Sequence, residues 1–190
     1  NPKDFIDREL IPYAEAFDDI KKATFESTSN ADDINKYLHW LNKIGNDDWV
    51  PPAISFLEQW GHTDTERVVS FLRRLERLAF GLRVLRLTIN GRRERYGKVL
   101  SAIENGDNLA DLESGLSLSN EECQSIRDAL AGSIYGTPFA KYLLLRLDAG
   151  LSEGEATYYH PIITIEHVLP QNPAEKSKWM ELFPDEGKRE

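Results

Sequence analysis

The sequence predicts a mainly α-helical protein: a multi-helix bundle followed by one small β element. Three observations carry this. Apolar residues recur at three- and four-residue spacing through most of residues 1–150. Capping and stopping residues punctuate that pattern at intervals suited to separate helices. After Gly154 the chain turns to aromatic and β-branched residues, which favour a pleated, half-buried surface. The reading is a helical domain over 1–150 and a second, smaller part over 151–190.

Pro2 can open a helix, and Phe5, Ile6, Leu10, Tyr13, Phe17 and Ile20 then recur at helical spacing. Pro12 lies inside that pattern and predicts a kink or restart. Asn30 reads as the N-cap of a second helix carrying Ile34, Tyr37, Leu38 and Leu41, which Gly45-Asn46 stops. Pro51-Pro52 opens a third, ending at Gly61. Thr63-Asp64-Thr65-Glu66 fits a capping box for the strongest helix, whose stripe runs from Val68 to Leu85. Asn90-Gly91 reads as a turn before a helix through Tyr96, Val99 and Ile103, stopped by Asn105-Gly106. Residues 107–118 read as a loop with one helical turn. Ser119-Asn120-Glu121-Glu122 is a second capping box, and a last helix runs from Phe139 to Ala149 with Gly150 as its stop. The β element is placed at about 156–168, with Ile163, Ile165 and His167 on one side. A short helix is expected around Trp179, Met180 and Phe183.

At 190 residues the chain can build one sizeable core, or a main domain and part of another. No apolar run approaches the roughly 18 residues of a membrane span, so no membrane association is expected. Cys123 is the single cysteine. That excludes an intramolecular disulfide and Cys-based metal sites and makes a cytoplasmic location the default. The absence of an initial Met reads as a piece cut from a longer protein. A net charge of −9 argues at first against nucleic acid, but the charge is unevenly placed. Residues 66–98 hold nine Arg and Lys98 against Glu66, Glu76 and Glu94. Arg grips phosphate through a planar fork, and local charge decides where a polyanion docks. Arg67, Arg73, Arg74, Arg77, Arg92 and Arg93 are the candidate DNA contacts. A solvated helix face explains the same block equally simply.

The chemistry gathers in Ile165-Glu166-His167-Val168-Leu169-Pro170-Gln171. An ionisable pair between branched apolar residues and a Pro is unusual at a strand end. His has an ordinary pKa near neutrality and can take a proton from water at working pH. No Gly-rich phosphate loop, dinucleotide fingerprint, His-Glu-x-x-His helix or serine elbow is present. His160 reads as a turn residue, and His39 and His62 have no partner pattern.

Residues 163–173, Ile-Thr-Ile-Glu-His-Val-Leu-Pro-Gln-Asn-Pro, with Trp179 and Phe183 beyond them, resemble the C-terminal nuclease domain of GmrSD-type, modification-dependent restriction endonucleases. The Ile134-Tyr135 and Lys141–Leu147 segments look similar to the helices before that motif. The resemblance implies the start of an incomplete ββα-metal (His-Me finger, HNH-like) fold over 151–190. It implies His167 as general base, Glu166 as a ligand of a divalent metal such as Mg²⁺, and Pro170 as the residue shaping the loop. It also implies DNA, modified DNA included, as substrate, and an upstream nucleotide-handling domain or subunit. That fold needs a later strand and helix bearing an Asn or His, which the resemblance places beyond Glu190, so the 190 residues alone are expected to be inactive. The other reading is a helical DNA- or protein-binding module whose nuclease motif is degenerate.

Overall fold

The computed structural model describes residues 1–152, 158, 160, 162–165 and 173–185. The elements are α1 (Pro2–Phe5), a π-helical turn (Ile6–Leu10), α2 (Ile11–Lys22), α3 (Ala31–Asn42), α4 (Val50–Trp60), α5 (Thr65–Val84), α6 (Ile89–Asn105), a 3₁₀ turn (Leu112–Ser114), α7 (Asn120–Ala131), α8 (Ala140–Leu151) and α9 (Lys178–Leu182). The chain forms two compact units, Asn1–Tyr142 and Leu143–Glu190, with the boundary inside α8.

In the first unit, Pro12 sits in the first turn of α2, directly after the π-helical turn. Proline lacks an N–H and its ring crowds the carbonyl four residues back. The wider π turn accommodates that clash, so the predicted restart at Pro12 takes this form. Asn30 occupies the N-cap position of α3 with φ 58°, but its side chain donates to Thr65 Oγ1 at 3.0 Å instead of capping. Asn35 pins the preceding loop: its amide accepts from the Phe25 N–H at 2.8 Å and donates to the Phe25 carbonyl at 2.9 Å.

α5 is the spine of this unit and packs against α3, α4 and α7. Its cap is Asp64, one residue later than the expected Thr63, and the carboxylate accepts from the Arg67 N–H at 3.0 Å. A carboxylate there satisfies an orphan donor and also meets the positive end of the helix dipole, which Thr63 cannot do. Val68, Leu72, Leu75, Leu78, Ala79 and Leu82 are fully buried, each contributing about 1.5–3 kcal/mol except the smaller Ala. Phe71 stacks on Phe56 of α4 at 3.9 Å between centroids. Gly81 permits close packing, since a Cβ there would lie 3.0 Å from both Leu118 and Ile126.

Asn90-Gly91 is not a turn. Thr88 caps α6 by accepting from the Gly91 N–H, which draws both residues into the first helical turn. α7 carries the expected capping box, with Ser119 and Glu122 bonded reciprocally. α8 runs through Gly150 to Leu151, so the predicted stop at Gly150 is not used.

In the second unit, no strand is present among the described residues. Ile162, Ile163, Thr164 and Ile165 find no ladder partner there, and Ile162 is 79% exposed. β-branched composition predicts a strand only when another strand supplies its hydrogen bonds. The remainder of the expected 156–168 element, including 166–168, lies outside the described residues. α9 forms where a short helix was expected, with Trp179 and Phe183 rings 6.3 Å apart. No helix among the described residues is long and apolar enough to cross a membrane.

Candidate nucleic-acid interface and nuclease motif

α5 and α6 carry the arginine block, and the fold gives its members different work. Arg95 is tied into the structure most deeply. It donates to the carbonyls of Gly115 at 2.5 Å and Ser117 at 2.6 Å, and grips Glu122 with both terminal nitrogens at 2.9 and 3.1 Å. Arg74 donates to the Leu109 carbonyl at 2.5 Å and to Ser117 Oγ at 3.0 Å. These two guanidiniums hold the 107–118 loop against the helices. Arg92 pairs with Asp48 at 2.6 Å and donates to the Leu87 carbonyl at 2.8 Å.

The other candidates face water. Arg73 and Arg93 are exposed. Arg77 is exposed too, with a long 3.9 Å contact from its Nη2 to Cys123 Sγ. Arg67 lies over the Trp60 ring at 3.8 Å from its centroid, a cation–π contact of about 0.5–1 kcal/mol at an exposed position. Of the six arginines named from sequence, Arg74 and Arg92 are therefore engaged inside the fold, while Arg67, Arg73, Arg77 and Arg93 present charge at the surface.

Sequence reasoning could not separate these groups, because both read as arginines off an apolar stripe. It counted Arg83, in the last turn of α5, and Arg86, just past its end, in the block without naming them as DNA contacts. No local sequence signal marked them: the left-handed φ of 54° at Arg86, where a helix terminus usually places Gly, shows only in the structure.

Glu166, His167 and Pro170 lie outside the described residues. Within the second unit, Tyr158 donates to the Asp148 carboxylate, a bond that raises the Tyr158 pKa. His160 is exposed. His39 lies edge-on to Trp40, and burial followed by the charge of Lys43 lowers its pKa. Among the described residues, no group of three or more His, Cys, Asp or Glu could complete a metal shell.

Residues 122–190 match the family model of the GmrSD restriction endonucleases, C-terminal domain. The match takes in α7, α8, α9 and the Glu166–Pro170 motif, and so supports the resemblance read from residues 163–173. It leaves α1 to α6 outside. Comparison with curated proteins and with solved structures returned no significant match.

Proposed function

We propose, on the premise that residues 122–190 share the pattern of the GmrSD C-terminal domain, that the chain serves a restriction-type endonuclease that hydrolyses DNA phosphodiesters. The single observation that carries this is the coincidence of the family match with the Glu166-His167-Val168-Leu169-Pro170 motif. In this reading His167 is the general base. A His with an ordinary pKa near 6.5 is largely neutral at working pH, so a ring nitrogen can take the proton of the attacking water. Glu166 supplies a carboxylate for a divalent metal, Mg²⁺ by donor type, and Pro170 restricts the backbone after the motif. The bound metal would stabilise charge on the scissile phosphate and leaving oxygen. Arg67, Arg73, Arg77 and Arg93 are the surface cations proposed to hold the DNA backbone.

The test is cleavage of DNA by the protein carrying this chain, wild type against His167→Ala, with circular dichroism as the folding control. Loss of cleavage in a folded variant supports the assignment.

A second reading, a helical binding module with a degenerate nuclease motif, draws on a different observation. The 1–142 unit has its own core, and exposed arginines lie on its surface. It expects His167→Ala to leave every activity unchanged.

A further inference from the structure

The end of α5, the start of α6 and the α7–α8 loop border an open, shallow pocket of about 370 Å³, lined by Arg83, Arg86 and Arg92 with Leu87, Gly136 and Pro138. Three guanidiniums on one concave surface repel one another unless an anion sits between them. The Arg83 Nε is buried with no hydrogen-bond partner among the described residues. A guanidinium N–H without a partner away from water is costly, and a rotation of the Arg83 side chain onto an anion in the pocket would remove that cost. Arg86 holds the left-handed conformation, φ 54°, disfavoured for a side chain of its size. Arg92 is oriented by Asp48 through Nε and by the Leu87 carbonyl through one terminal nitrogen. Asp48 is the carboxylate paired with these arginines among the described residues, which leaves the cluster with two excess positive charges.

We propose that this pocket is a phosphate site that takes a backbone phosphate of a DNA strand, an inference that rests on DNA being the substrate of the proposed function. The guanidinium fork matches tetrahedral phosphate oxygens in charge and geometry. The pocket exceeds one phosphate in size. Arg83 and Arg86 thus become DNA contacts that lie outside the nuclease motif.

NMR titration of the isotope-labelled 190-residue chain tests this, following the Arg83 Nε–H and the Gly136 amide. The probes are inorganic phosphate, a nucleoside triphosphate and a short DNA duplex. The duplex is expected to shift both resonances, at lower concentration than either small anion, with affinity falling as salt rises. Arg83→Gln with Arg86→Gln is expected to weaken duplex binding about tenfold or more. Arg86→Gly guards against a folding artefact: it removes a cation while relieving the left-handed backbone, so melting temperature is retained and affinity still drops. No shift at these resonances with the duplex, a shift with the triphosphate alone, or unchanged affinity in the variants would each overturn the proposal. Failure of DNA cleavage by the complete protein, with the titration positive, would sink the nuclease assignment and leave the phosphate site standing.

Discussion

Arg95 of α6 grips Glu122 of α7 through two hydrogen bonds, at 2.9 and 3.1 Å, with both side chains mostly shielded from water. Glu122 is also the capping-box acid of α7, accepting from the Ser119 N–H at 2.8 Å. One carboxylate therefore starts a helix and anchors it to another. Removing the guanidinium leaves a carboxylate half-paired and two carbonyls without a donor. Arg95→Met should cost about 2–4 kcal/mol at neutral pH, read by urea denaturation.

The same pair sets a pH dependence. Burial pushes the Glu122 carboxyl up, but the Arg95 bonds and the Ser119 N–H outweigh it and hold it below its ordinary 4.5. A folded pKa below the unfolded one contributes stability that is present above about 4.5 and lost as pH falls through the lowered value. Wild-type stability should decline on acidification through that window, and Glu122→Gln should flatten the decline while lowering stability at pH 7. An unchanged acid profile in Glu122→Gln would contradict this.

Glu76 is a buried carboxylate on α5, and the Tyr142 hydroxyl donates to it at 2.5 Å. Tyr142 also stacks on Phe80 at 4.9 Å and meets Trp40 edge-on at 5.8 Å. Tyr142→Phe keeps the ring packing and removes the donor, so it should cost about 1–3 kcal/mol. Glu76→Leu with Tyr142→Phe should recover part of that loss, because it removes the buried donor and the buried acceptor together. Additive losses in the double-mutant cycle would show the pair to be uncoupled.

Exposed Arg73, Arg77 and Arg93 should matter to DNA and little to folding. Changing all three to Gln should alter stability by no more than about 0.5 kcal/mol per site. The salt slope of DNA affinity should fall by roughly 0.9 for each phosphate that the variant no longer neutralises. Arg74→Gln should behave oppositely, destabilising the 107–118 loop. Fluorescence anisotropy at several salt concentrations, beside thermal melts, checks both; an unchanged slope in the triple variant would return these residues to a solvated face.

Much of the helical frame could be read from sequence because its signals are local. The α5 stripe, the Ser119–Glu122 capping box and the irregularity at Pro12 depend on neighbours within a turn or two. Errors arose where two local signals competed: Asp64 outranks Thr63 as a cap because it carries charge, and Thr88 draws Asn90-Gly91 into α6. The arginines were legible as charge but not as roles, since the oxygens that engage Arg74 and Arg95 come from 20 to 43 residues away. Residues 162–165 show the limit of composition, because a strand depends on a partner that no local pattern encodes. The Glu166-His167 motif was legible as chemistry, and its geometry lies outside the described residues.

Single-turnover DNA cleavage by the protein carrying this chain, comparing wild type with His167→Ala, is the sharpest test of the nuclease assignment. The expected result is a fall of roughly 10²–10⁴-fold with the circular dichroism spectrum unchanged, because the variant would lack the group proposed to deprotonate water. Glu166→Gln should show a defect that shrinks as Mg²⁺ concentration rises. Wild-type cleavage by a well-folded His167→Ala variant would contradict the role of His167 as base and leave the helical binding module in its place.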